Sequence, residues 1–318
     1  MFFPKADYGS FTGKKDIEIQ EDLKRRYGKN SFCFPSSRRE KAFLAWVSKI
    51  KEWESQKEVE VSYDSPEKKK YEDRENGNMI NIFDFSTGIL GKKKIKENFS
   101  FKSFEVELSA DNWEVKDYEK NSPLYRRYTK SETRIGKTDD ITRHAREITK
   151  ERDSYFAKAK FIYNWVIENI AYKGEEERKG VIKVFREKSG NTEEISLLLV
   201  VLLRAVGIPA RLVSGAWGED GKRQTFHSWV EFYIEDVGWV PVDCVKKMFG
   251  ELDNERVIFS KGENILLKNA PEHSDIFDIK YKRALYMQPD VFYVDSEEEG
   301  FFVTRKSKYL LIKDPGKW

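Results

Sequence analysis

Cysteine is nearly missing from this chain of 318 residues, which holds only Cys33 and Cys244. Two thiols provide neither a disulfide framework nor a Cys-rich metal site. Histidine is also scarce, with three at positions 144, 227 and 273. No cluster of His, Asp and Glu has metal-ligand spacing, and no Gly-rich phosphate loop appears, so neither metal nor cofactor is expected. Net charge is close to absent: 58 basic and 55 acidic residues leave +3, which removes the electrostatic case for nucleic acid. The runs Lys68-Lys69-Lys70 and Lys92-Lys93-Lys94 read as solvated turns. No apolar stretch approaches the roughly 18 to 20 residues that span a bilayer. The longest, Ile195 to Val206, is interrupted by Ser196 and Arg204 and reads as a buried helix. The opening MFFPKADYGS lacks the apolar centre of a secretory leader, so a cytoplasmic location is the expectation.

Aromatic residues, by contrast, are abundant. With 22 Phe, 15 Tyr and 8 Trp and 39% hydrophobic residues, the composition is that of a chain with a core. Residues 1 to 33 are polar and irregular and read as a loosely attached arm. Ser37 with Glu40 reads as a capping box after Pro35. Ala42, Phe43, Trp46, Ile50 and Trp53 then recur at helical spacing, which predicts an amphipathic helix over 38–54. The period next changes to two, at Val59, Val61 and Tyr63, at Ile80 and Ile82, and from Phe99 to Leu108. With the turn signal Glu75-Asn76-Gly77-Asn78, this predicts an antiparallel β unit. Helical spacing returns at Asp139-Asp140, which can cap a helix through Ile148, and again from Tyr155 to Ile170. A helix over 193–206 stops at Gly207-Ile208-Pro209, and strands follow at 210–216, 226–234, 239–244 and 256–260. Helices followed by antiparallel strands indicate an α+β core. The expected division is an arm and helix (1–54), a β-rich accessory domain (55–135), a core (136–255) and a β-rich extension (256–318).

Three residues stand out within Gly190 to Cys244. Thr192 opens the long apolar helix, where free N–H groups and the helix dipole favour an anionic nucleophile. A Thr hydroxyl is poorly suited to that task, and Thr nucleophiles normally use their own α-amino group. A first-turn or capping role beside Asn191 and Glu194 is the plainer reading. In FHSWVEFY, the period of two puts Phe226, Ser228, Val230 and Phe232 on one face. His227, Trp229, Glu231 and Tyr233 then lie on the other, as in a cleft wall, although a structural His also fits. Asp243 lies 16 residues after His227 across a turn at Glu235–Gly238. If the two strands form a hairpin, an odd-length loop centred on Glu235 or Asp236 puts both side chains on one face and an even one separates them. The plainer role for Asp243 is to cap the following turn. Cys244 points away from Asp243 and reads as buried filler. Nothing ties Cys33 to the site, and Arg204 and Arg211 read as charges with structural partners.

The order GNTEEISLLLVVLLRAVGIPAR, FHSWVEFY, GWVPVDC resembles the core of the transglutaminase-like superfamily, the papain-type Cys–His–Asp enzymes. In that pattern a Cys follows the Gly-Asn pair at the helix start, the His leads an H-x-W-x-E strand, and the Asp follows the next Gly-Trp. His227 and Asp243 match, while Thr192 stands at the nucleophile position. The helix KAKFIYNWVIENIAY and the segment VIFSKGENILL look like flanks of microbial members. The resemblance implies a papain-like fold, with a nucleophile-bearing helix packed on an antiparallel sheet beside an N-terminal β-rich domain. It also implies a candidate catalytic set of Thr192, His227 and Asp243. Tyr172 and Trp165 are candidates beside the nucleophile, and Trp217 and Trp229 could line a peptide groove or sit in the core. Three readings stay open. The first is a catalytically silent protein that binds a peptide or protein. The second is a peptidase, amidase or acyl transferase working through water or Thr192, or an active cysteine enzyme carrying an introduced Thr. The third is a structural assembly module whose cleft is filled by the chain itself.

Overall fold

The computed structural model describes residues 8–21, 43–64, 69–84, 93–108, 116–130, 135–136, 138–174, 179–218, 225–270, 279–280, 282–287, 290–294 and 301–313. The helix α5 (Thr192–Ala205) organises the core, because all of Glu194 through Arg204 is buried and such a helix must be covered on every side. A capping box closes its start: Asn191 accepts from the Glu194 N–H at 2.9 Å and Glu194 accepts from the Asn191 N–H at 3.3 Å. Gly207, at φ +79°, ends it, with the Ile208 N–H donating back to Leu203 at 3.0 Å.

Around α5 pack α1 (Pro123–Thr129), α2 (Asp139–Thr149), α3 (Tyr155–Asn169) and α4 (Val181–Glu187). The N-cap of α2 is Thr138, whose side chain accepts from Ile141, and not the expected Asp139-Asp140 pair. That pair occupies the first turn, where acidic groups favour the dipole. An antiparallel sheet runs beneath α5 in the order β13 (Met248–Phe249), β12 (Gly238–Asp243), β11 (Thr225–Ile234), β10 (Ala210–Trp217), β15 (Arg256–Lys261). Leu212, Val230, Phe232 and Val242 fill the space between sheet and helices.

Strands from both ends of the chain form two further sheets. One sheet has the order β20 (Phe301–Lys313), β1 (Tyr8–Glu21), β6 (Lys93–Phe104), β3 (Gln56–Asp64). A second has the order β19 (Asp290–Val294), β2 (Phe43–Ser48), β5 (Asn78–Asp84), β4 (Lys69–Asp73). Phe99 and Phe101 pack on Ala216, Val257 and Phe259 of the core sheet. Short pairs complete the structure: β7 (Val106–Glu107) with β14 (Glu251–Leu252), β16 (Ile265–Leu266) with β18 (Arg283–Ala284) and β17 (Ile279–Lys280), and a parallel pair, β8 (Ala171–Tyr172) with β9 (Ser189–Gly190). No helix among the described residues is long and apolar enough to cross a membrane.

The mixed α/β architecture, with its β-rich N-terminal region, matches the expected class. Several local expectations do not hold, the lysine-run turns among them, since Lys69 and Lys70 lie in β4 and Lys93 and Lys94 in β6. Residues 8–21 are not an irregular arm but a strand paired along its length with β20 and β6. The expected helix over 38–54 is instead the strand β2, followed by the isolated bridge Trp53–Gln56. Leu44, Ala45, Trp46 and Val47 are all buried, and a short apolar run buried on both faces satisfies helical spacing by accident. Cys33, Pro35, the Ser37–Glu40 capping box, Ala42 and His273 lie outside the described residues. The expected boundary at 255 falls inside one sheet, since β15 pairs with β10.

Candidate functional site

Alternation along β11 works as expected: Val230 and Phe232 face the helices, while Trp229 joins a separate cluster with Val213 and Ile258. The β11–β12 register runs from Val230↔Val242 to Ile234↔Gly238, which leaves a three-residue loop centred on Asp236 at φ +63°. The loop is odd, so Asp243 and His227 share a face. His227 Nε2 lies 2.6 Å from Asp243 Oδ2, and its ring stacks on Trp229 with centroids 6.3 Å apart. The other oxygen, Oδ1, accepts the N–H groups of Val245 at 3.0 Å and Lys246 at 2.9 Å. Asp243 therefore both caps its turn and meets the imidazole. Arg256, at the start of β15, adds a guanidinium contact to Oδ2 at 2.7 Å. Burial pushes the Asp243 carboxyl up, but the charges of His227 and Arg256 and the hydrogen bonds from His227 and the Lys246 N–H outweigh it. The net effect holds the carboxyl well below the usual range.

Thr192 is the first residue of α5. Asn191, and not Thr192, takes the capping role. One helical turn further, Ser196 Oγ donates to the Ser228 carbonyl at 3.0 Å, which sets the first turns of α5 over the stretch of β11 that carries His227. Tyr172 reaches the same place along β8, where it pairs with Gly190, two residues before Thr192. Exposure rises from Asp243 (1%) and His227 (3%) through Thr192 (9%) to Tyr172 (50%), so the site meets solvent on the Tyr172 side. The Glu194 carboxylate also accepts the Gly180 N–H at 2.6 Å, which ties the preceding loop to the helix start.

The remaining candidates separate. Trp165 packs on His144 at 4.4 Å and Phe185 at 5.9 Å, with the Lys188 ammonium 4.5 Å above its ring. Trp229 is fully buried beneath His227 and serves as a floor. Trp217 lies beside the Asp243 turn, with Nε1 donating to Asp253 at 3.3 Å and Lys246 over its ring. Cys244 packs against the helix-side core, and burial together with the Asp243 charge pushes its thiol well up. Arg204 and Arg211 form buried ion pairs with Glu263 and Glu231, each at 2.7 Å.

Sequence reasoning missed two participants. Nothing in the spacing of VIFSK marks Arg256, which reaches the site only through the β10–β15 pairing. Gly215 lies opposite His227 on β10, and a Cβ there would sit 2.0 Å from the Val257 carbonyl and 2.9 Å from the Trp229 ring. A cavity of about 390 Å³ lined by Arg146, Lys150, Lys158, Val206 and Gly207 lies at the other end of α5, roughly 20 Å from Thr192 by helix rise. It is therefore separate from the candidate site. No group of three or more His, Cys, Asp or Glu among the described residues is placed to hold a metal.

A sequence profile described as the Transglutaminase-like superfamily matches residues 142–244. Protein YebA of Bacillus subtilis (strain 168) is 29% identical over 166 residues, covering 40% of this chain. The chain spans only 22% of that relative's length. Among solved structures, a proposed cysteine protease from Cytophaga hutchinsonii superposes with a TM-score of 0.65 at 14% identity. That match covers 96% of this chain and 93% of the other, a likeness of fold. With the helix start, the His-bearing strand and the Asp-bearing strand in the same order, residues 142–244 are a transglutaminase-like domain.

Proposed function

We propose that this transglutaminase-like protein is catalytically silent because Thr192 occupies the nucleophile position, and that its cleft binds a peptide or protein segment. The observation that carries this reading is the assembled His227–Asp243 pair, 2.6 Å apart, beside a helix that opens with Thr. A papain-type reaction needs a thiolate at that point, and an imidazole base generates little alkoxide from a threonine hydroxyl. Exposed Tyr172 would flank the bound segment. The same contact favours a second reading, in which His227 activates water for slow amide hydrolysis. Losing the nucleophile of a triad leaves a residual enhancement of roughly 10³ to 10⁴ over water in one studied protease.

The test compares the protein with Thr192→Cys. Both are treated with a thiol-reactive peptide warhead and assayed for release from glutamine and peptide-amide substrates, and binding of the same peptides to the Thr form is measured by calorimetry. Labelling at position 192 and turnover in the Cys form, with binding but no turnover in the Thr form, are expected. Turnover by the Thr form that His227→Gln abolishes would replace this reading with the hydrolytic one. An inert Cys form and no binding would leave only a structural module.

A further inference from the structure

Arg256 lies twelve residues beyond the matched domain, yet its guanidinium is buried against the candidate pair. Nη1 and His227 Nε2 converge on the same carboxylate oxygen, Asp243 Oδ2, at 2.7 and 2.6 Å. On its other side Nη2 contacts Asp253 Oδ2 at 3.1 Å and the Met248 sulfur at 3.3 Å. The guanidinium also lies 5.0 Å from the Trp229 ring, on which His227 stacks. The Arg256 Nε–H, by contrast, is buried with no hydrogen-bond partner among the described residues. Buried donors are normally satisfied, so a side chain that leaves one unmet has been oriented by its other contacts. Here those contacts are the two carboxylates and the tryptophan face.

We propose that Arg256 is a positioning residue of the site: it pins the oxygen to which His227 Nε2 is bonded and thereby fixes the orientation of the imidazole. A carboxylate held by Val245, Lys246 and Arg256 cannot swing away from the ring. The arginine charge is permanent, so Asp243 stays an acceptor for the His227 ring. A lysine would supply charge without the flat, two-pronged geometry that joins Asp243 to Asp253. The proposal rests on His227 and Asp243 being the working pair, but not on whether the protein turns over substrate.

The experiment follows the His227 Nε2–H proton by NMR in the unaltered chain, assigned by its loss in His227→Gln. A proton bonded to a buried carboxylate should resonate downfield of the backbone amides and exchange slowly. Arg256→Gln should broaden or abolish that signal while the rest of the spectrum persists, and Arg256→Lys should retain it in part. Should Arg256→Gln fail to fold, Asp253→Asn decides the matter. It loosens the guanidinium without touching Asp243, and at least about tenfold faster exchange of the Nε2–H is expected from loss of a charged hydrogen bond. An unchanged signal in folded Arg256→Gln, or in Asp253→Asn where that is the deciding variant, would overturn the proposal. So would the absence of the signal in the parent. In the Thr192→Cys background, Arg256→Gln should slow warhead labelling at saturation by about tenfold without weakening warhead binding. An inert Thr192→Cys parent with an intact Nε2–H signal would count against the cleft reading alone.

Discussion

Asp243 is where charge, turn geometry and the candidate site meet. Its carboxyl is held below the usual range in the folded protein and titrates near 4 in an unfolded chain. The unfolded chain therefore takes up the proton first. The pair's stabilisation is complete above about pH 4 and is lost as pH falls toward the folded value. Chemical denaturation between pH 5 and 2.5 should show stability falling with acidity, and Asp243→Asn should flatten the part of that slope due to this group. An equal slope in the variant would show that other carboxylates govern acid unfolding. Gly215 is a second sensitive position. Gly215→Ala should cost about 1–3 kcal/mol in urea melts, because the new methyl meets the Val257 carbonyl and the Trp229 ring with no room to move. Arg256 was invisible in the sequence for a different reason. A lone arginine at the start of an apolar strand carries no periodic signal, and its role exists only once β15 lies beside β10.

At the level of elements, α5, β11 and β12 were legible because their burial is one-sided or total and their ends carry strong signals. Gly207-Ile208-Pro209 stopped the helix, and the alternation of His227, Trp229 and Glu231 named a face. The hairpin loop decided the rest: its odd length could be required from the sequence but not observed there. The strand β2 was misread because Leu44 to Val47 is buried on both faces, so helical and extended chains place those side chains equally well. The capping box makes its own prediction. Asn191→Ala should destabilise the protein by about 1 kcal/mol, since it frees the Glu194 N–H and slackens the hold of Glu194 on Gly180. The same variant should shift amide signals of residues 179–180 if the carboxylate anchors that loop.

At the level of the whole molecule, sheets are shared across segments that look separate in sequence. The core sheet ends on β15, and Phe99 and Phe101 from the β-rich region pack on its Ala216, Val257 and Phe259. A fragment of residues 136–255 would expose Ala216, lose Arg256 and leave Asp243 without its guanidinium. It should give a poorly dispersed NMR spectrum and no cooperative melt, whereas the full chain should unfold as one transition. A well-folded fragment would show that the outer sheets are accessories and not part of the core.

The pairing of β1 with β20 has a geometric corollary. Gly9 stands opposite Lys313 as an antiparallel partner, a separation of about 5 Å between Cα atoms. The first and last of the described strands therefore bring positions far apart in sequence side by side. Between those two neighbouring positions the described chain makes a nearly closed circuit. Such a body can be carried at the tip of a loop in a larger host, or reopened elsewhere by circular permutation, without its sheets being rewired.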